Sequence, residues 1–242
     1  MSAKILFVLF LLFSSLFAKE ECNLFQTEGE LGFERSELSG TFKVGGDDST
    51  TLDTQKDLGM QKSTARLKAM MSKSTTHHKF GFKLEKYKHS GSKKLSSNII
   101  YNGSQYATAS LIKSKISLKW AKLKYRYRFT PDFSLGIDLN GMRLKTMVNE
   151  NKKKKTLLLP AIALEYQKEL EEGLNFIIKG TSTAPNENSH HYGYVGFSYN
   201  MKILGCSCLH LGYQYRDLKI NSDDIHANLK FQGLYAGLSM KF

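Results

Sequence analysis

The sequence predicts an all-β protein: a closed antiparallel β-barrel that crosses a membrane, with ten strands and with eight or twelve as the alternatives. Three observations predict it. An apolar run at 5–13, preceded by Lys4 and followed by Ser14, Ser15 and Ala18, has the layout of an export signal cut after Ala18. It is too short for the ~20 residues of a membrane-spanning helix. No later stretch is apolar for the length a helix needs, yet apolar residues recur at every second position in segment after segment, the mark of strands with one oily face. The connections between these segments alternate short and long, as turns and loops do at the two ends of a membrane barrel.

Composition agrees. With 41% hydrophobic and 24% charged residues, the chain is too polar for a bundle of membrane helices but ordinary for a barrel, where only alternate strand residues meet lipid. The formal charge of +13 implies affinity for anions. Export and the absence of any nucleic-acid motif argue against nucleic acid, which leaves anionic solutes or phosphorylated lipid. The expected organisation is a signal peptide at 1–18, a lead-in at 19–35 and the barrel at 36–242. Of the three cysteines, Cys22 and either Cys206 or Cys208 could form one disulfide, and a free thiol is the other reading. Cys206 and Cys208 are not expected to bond directly, because same-face residues two apart on a strand are too distant.

In chain order the first strand is expected at 37–45, with Leu38, Gly40, Phe42 and Val44 outward and Lys43 inward. After a polar loop at 46–63, a strand at 64–73 puts Ala65, Leu67, Ala69 and Met71 outward, and one at 78–88 does the same with Phe80, Phe82 and Leu84. A long loop at 89–110 contains the Asn102-Gly103 hairpin signal. The fourth strand, 111–129, changes phase: Ile116, Leu118 and Trp120 are even, whereas Leu123, Tyr125, Tyr127 and Phe129 are odd. Such a slip suggests a bulge near Ala121. Strands follow at 133–146 and, after a solvated basic loop at 149–155, at 156–168, where Pro160 suggests a bulge or weak pairing. The remaining strands are placed at 174–181, 190–199 and 206–216, with the last one closing the chain. Tyr125, Tyr127, Phe129, Tyr199, Tyr213, Tyr215 and Phe242 fit an interfacial aromatic girdle.

The final segment, QGLYAGLSMKF, alternates Leu234, Ala236, Leu238, Met240 and Phe242 with small or polar residues. It resembles the closing strand of Gram-negative outer-membrane barrels. That resemblance implies a signal for the barrel assembly machinery in Leu238, Met240 and Phe242. The runs DLGM, HHKFGFKLEKYKHSGSKKLSSNIIYNG and SLKWAKLKYRYRF, within 57–144, resemble small uncharacterised, porin-like outer-membrane barrels of proteobacteria. This implies an outer-membrane location and transfers no catalytic residue.

Alternation assigns Lys43, Arg66, Lys68, Lys83, Lys115, Lys119, Lys122, Lys124, Arg126, Arg128 and Lys179 to a basic lumen, with Glu85, Asp138 and Glu165 as acidic partners. Unpaired buried charges cost several kcal/mol each, so this lumen must be hydrated, hold anions or pair internally. Two readings follow: a narrow anion-preferring channel, or a closed barrel acting as a passive surface protein. Lys93, Lys94 and Lys152, Lys153, Lys154 and Lys155 are placed to meet lipopolysaccharide phosphates. A lipid A-modifying enzyme or an adhesin is the alternative, but Ser189, His190, His191, His77 and His78 show no triad spacing, and Cys206, Cys208 and His210 lack a fourth metal ligand. No cofactor is expected.

Overall fold

The computed structural model describes residues 26–61, 63–184, 187–201 and 206–241. Among them, ten long antiparallel strands close into a barrel: β1 (Gln26–Val44), β3 (Ser63–Ser74), β4 (His78–Lys94), β7 (Leu111–Arg128), β8 (Phe133–Val148), β9 (Asn151–Glu171), β10 (Leu174–Thr183), β11 (Ser189–Met201), β12 (Ser207–Ser222) and β13 (Ile225–Lys241). Each pairs with its neighbour, and β13 pairs with β1 to remove the sheet edges. Three short strands lie in the loops: β2 (Leu52–Asp53) against β1, and β5 (Ile99–Tyr101) with β6 (Ser104–Tyr106) as a separate hairpin. Its Asn102-Gly103 corner has φ of 49° and 78°, the two left-handed residues that the turn signal foretold.

Strands of 16 to 21 residues, such as β8 and β9, are far longer than the ~9–11 that cross a bilayer. The register shows what the extra length does. From the end with the short turns upward, successive outward rows on β4, β7, β8 and β9 are His78, Tyr127, Leu135, Leu164; then Phe80, Tyr125, Ile137, Ile162; then Phe82, Leu123, Leu139, Pro160; then Leu84, Ala121, Gly141, Leu158. The next row is Lys86, Lys119, Arg143, Thr156. The outer wall passes from apolar to basic within one step of two residues. The inner wall switches the other way over the same heights: Lys83, Lys122 and Asn140 give way to Glu85, Trp120 and Met142, then to Tyr87, Leu118 and Leu144. Hydrocarbon outside demands apolar side chains outward. Above it, water outside reverses the demand, and the barrel becomes a soluble one with an oily interior.

This inversion corrects several sequence expectations. No bulge occurs near Ala121, because β7 stays in continuous register with β4 and β8; the phase change of its apolar residues marks the edge of the membrane band. Leu38, Phe42 and Val44 point inward and are almost fully buried, since they lie in the upper part of β1. Strand β1 starts at Gln26, so much of the expected lead-in belongs to the barrel wall, where Leu31 and Phe33 alternate with Glu30 and Glu34. Residues 152–155 are not a loop. They form the start of β9, paired with β8 from Val148 opposite Asn151 onward. Between the described strands, long connections remain at 45–62 and 95–110. Pro160 keeps register with Leu139, and the β10 ladder ends at Ala161, just short of it.

The upper interior is filled. Leu38, Phe42, Val44, Tyr87, Ile112, Ile116, Leu118, Trp120, Met142, Leu144, Val148, Leu218, Ile220, Ile225, Leu229 and Phe231 from the walls join Leu52, Leu58 and Met60 from the first loop and Ile99 and Tyr101 from the hairpin in one buried cluster. Gly91 lets the loop approach: a Cβ there would lie 2.4 Å from the Gly59 carbonyl oxygen. The hairpin is tied down by Tyr101 Oη donating to Thr146 Oγ1 at 2.8 Å and by Asn102 N donating to the Val44 carbonyl at 2.7 Å.

The outer band is directly testable. Ile137, 58% exposed and in the middle of the apolar rows, is expected to lose about 2–4 kcal/mol of barrel stability when replaced by Arg. Lys119→Arg, above the band, should stay within about 0.5 kcal/mol. Urea titration of the protein in lipid vesicles measures both, and equal costs would remove the boundary drawn here.

Candidate functional site

Below the apolar cluster the lumen is charged, and two levels can be told apart. At the end with the short turns a vestibule of about 500 Å³ is lined by Glu28, Lys79, Arg128, Glu165, Lys179 and His210, among others. Lys79 pairs with Glu28 at 3.4 Å and Lys179 with Glu165 at 3.3 Å. Above it the side chains converge, leaving a cavity of only about 40 Å³, room for a few waters.

That convergence is a network of ion pairs. Glu34 takes Lys68 at 2.5 Å and Arg66 at 3.8 Å. Glu85 takes Arg216 at 2.9 Å, Lys83 at 3.0 Å and Lys68 at 3.4 Å. Asp138 takes Arg126 at 2.7 Å and Lys122 at 3.0 Å, and accepts from Thr181 Oγ1 at 3.2 Å. Aromatic faces take up part of the remaining positive charge: the Arg66 guanidinium lies 3.6 Å from the Tyr87 ring centre and that of Arg216 lies 4.3 Å from Trp120. Tyr87 Oη also accepts from Arg216, and Tyr235 Oη donates to Glu30. Among the described residues Lys124 makes no direct ion pair and meets the Met70 sulfur at 3.8 Å.

Alternation therefore places Arg66, Lys68, Lys83, Lys122, Lys124, Arg126 and Lys179 in the lumen, together with Glu85, Asp138 and Glu165, and sets Arg128 at its mouth. It misplaces Lys43, Lys115 and Lys119. Each of these lies above the band, where the faces have exchanged roles, and each sits on the outer wall beside an inward Phe42, Ile116 or Trp120. The acids missed were Glu28, Glu30 and Glu34, because the start of β1 was read as lead-in. Their signal was alternation with Gly29, Leu31 and Phe33. Arg216 and Tyr87 were missed as well, and both are central to the network.

The expected loop lysines are dispersed. Lys93 donates to the Lys56 carbonyl, and Lys153 pairs at 2.9 Å with Asp224, whose carboxyl it holds below the ordinary carboxylate range by that hydrogen bond and by its charge. Lys155 lies on the inward face of β9, opposite Leu144. Lys94, Lys152 and Lys154 lie on the outward faces of their strands. In the final strand Leu238 is outward and half-buried and Met240 is buried, while Phe242 lies outside the described residues. Cys206 is disulfide-bonded and Cys208 is a free, buried thiol facing the lumen; Cys22 also lies outside the described residues.

Ser182 Oγ and His191 Nδ1 are 2.9 Å apart on the outer face, with Asp217 opposite His191 in the next strand. The β10–β11 ladder ends at this pair, Ser182 opposite His191, while β11 stays paired with β12 from Ser189 onward. His190 points the other way, onto Trp120 at 4.3 Å between ring centres. Among the described residues no cluster of three or more His, Cys, Asp or Glu is placed to hold a metal.

The closed ten-stranded barrel, with an apolar band outside and a charged lumen inside, defines the chain as a transmembrane β-barrel of outer-membrane type. No family model and no curated protein matches its sequence. Among solved structures it is similar to the outer membrane protease OmpT from Escherichia coli, with a TM-score of 0.61 at 8% identity over 90% of this chain and 97% of that one. That likeness shows the fold alone. Ail, the attachment invasion locus protein of Yersinia pestis, aligns at a TM-score of 0.37 and 11% identity, covering 90% of this chain and all of Ail. The Pseudomonas putida toluene transporter TodX gives 0.37 and 9%, covering 88% and 89%.

Proposed function

We propose that this protein is a sealed outer-membrane barrel that works at the cell surface through its walls and extracellular end, as a binding or structural protein, and that it does not conduct solutes. The observation that carries this is the apolar cluster, which reaches from the upper walls to the two loop plugs and includes Trp120, Tyr87, Tyr101, Phe42 and Phe231, each at most 2% exposed. A hydrated anion path would have to cross it, and a dewetted apolar constriction excludes ions. The basic lumen is then structural: its cations are held by Glu34, Glu85, Asp138 and aromatic faces. An outer-membrane location, recognition of the final strand by the barrel assembly machinery and contact with lipopolysaccharide belong to the same reading.

Planar-bilayer recording of the refolded protein tests it. Membrane insertion without a steady current above the lipid baseline is the expected result. A steady anion-selective current, abolished by replacing Lys68, Lys83 and Lys122 with Gln, would restore the channel.

A further inference from the structure

The outward face just above the apolar band of β4, β7, β8 and β9 is basic without relief. Lys86, Lys119 and Arg143 stand directly opposite one another across three strands. One step higher, Lys88 and Ser117 are followed by Lys145 opposite Lys154, and the next step holds Lys115 and Lys152. Among the described residues no Asp or Glu shares this face on these strands above Leu84. The corresponding face of β12, β13 and β1 is mixed, with Asp217 opposite Lys230 and Glu37 opposite Gln232.

Like charges directly opposite on a sheet have Cβ atoms about 4.5–5.5 Å apart and destabilise the pairing. The chain carries two such contacts in a row with Lys86, Lys119 and Arg143, and a third with Lys145 and Lys154. A wall that served only to be wetted would intersperse acids, as the opposite wall does. The height matters equally: the basic rows begin one step above Leu84, Ala121, Gly141 and Leu158, where the hydrocarbon band ends and lipid headgroups begin. Phosphates at that level would stand between the paired cations and screen them from each other.

We propose that this wall is a binding site for the phosphorylated disaccharide headgroup of lipid A in the outer leaflet, held by Lys86, Lys119, Arg143, Lys145 and Lys154. The proposal rests on the outer-membrane reading above but not on the sealed lumen. It moves the lipopolysaccharide contact from loop tips to the flat outer face of four strands, and gives Lys119, expected in the lumen, a role outside it. Five cations on rigid strands are already in place before a headgroup arrives, so little ordering is needed to bind it.

The test uses the full-length refolded protein in detergent micelles, titrated with bisphosphorylated lipid A, with lipid A stripped of its phosphates, or with phosphatidylglycerol, and read by native mass spectrometry. Each near-surface base contributes about fivefold in affinity, so Lys119→Gln, Arg143→Gln and Lys145→Gln together are expected to weaken bisphosphorylated lipid A about 100-fold. Lys119→Arg with Lys145→Arg should retain binding, and Lys219→Gln with Lys230→Gln on the opposite wall should leave it unchanged. Loss of phosphate should have the same effect as loss of the three bases. Wild-type affinity in the triple Gln variant, equal weakening by the opposite-wall variant, or equal binding of phosphatidylglycerol would each overturn the proposal. Bilayer current from a preparation that still binds lipid A on this wall would overturn the sealed lumen and leave the binding site standing.

Discussion

Replacing Glu85 with Gln is expected to destabilise the folded barrel by about 3–5 kcal/mol, the cost of removing one partner from a buried ion pair. Glu85 is where three cations meet: Arg216 at 2.9 Å, Lys83 at 3.0 Å and Lys68 at 3.4 Å. Its side chain is 2% exposed, and the cavity lined by its partners Lys68 and Lys83, about 40 Å³, admits too little water to solvate what is left behind. Lys68 would keep Glu34, but among the described residues Arg216 would keep the Tyr87 hydroxyl and aromatic faces and no carboxylate partner. Arg216→Met in the Glu85→Gln background should recover part of the loss, because it removes a charge that no longer has a partner. Equilibrium unfolding in urea, in lipid vesicles, measures the single, the double and their coupling. A cost below about 0.5 kcal/mol for Glu85→Gln would mean that the network is wet, and the lumen would then be open to solvent at this level.

The membrane half of this architecture is legible in the sequence because a single rule governs it. On β3, β4, β8, β9, β11 and β12 every second residue must be apolar to meet hydrocarbon, and Met71, Phe82, Ile137, Ile162, Phe197 and Leu211 sit where that rule puts them. The upper half obeys the opposite rule with the same periodicity. A two-residue period cannot say which face is outside, so Leu38, Phe42 and Val44 were turned outward and Lys43, Lys115 and Lys119 inward. The clue was in β7, where Trp120 and Leu123 stand in opposite phase. Two explanations of that pattern exist, an inserted residue or a change of surroundings, and only pairing on both sides of the strand distinguishes them. Once the change of surroundings is recognised, the basic wall follows from the sequence too: Lys113, Lys115, Ser117 and Lys119 are the odd positions of a strand whose even positions are Ile112, Ser114, Ile116 and Leu118. What could not be read was the filling of the upper lumen. It depends on Leu58 and Met60 from one loop and Ile99 and Tyr101 from another meeting the walls, and contacts of that kind leave no local pattern.

The depth of that filling predicts how the seal responds to damage. Trp120 is 2% exposed, donates from Nε1 to Asn140 Oδ1 at 3.1 Å, and lies under Arg216 and against His190. Trp120→Ala should therefore cost about 3–5 kcal/mol in urea titrations, from lost apolar contact and the space left behind. Its conductance in a planar bilayer should nevertheless stay at the lipid baseline. Trp120 forms only the lowest apolar layer; Leu118, Ile116 and Ile112 rise above it on β7, each at most 1% exposed, facing Leu144 and Val148 of β8 and the buried Tyr101 of the hairpin. Removing one layer enlarges the charged chamber below without piercing the layers over it. Replacing 96–109 with a short turn is the change that should matter for conductance, since it withdraws Ile99 and Tyr101 from the centre of the upper barrel. A steady current from Trp120→Ala alone would mean that the barrier is one side chain deep, a gate that small motions could open, and the protein would then have to be regarded as a channel held shut.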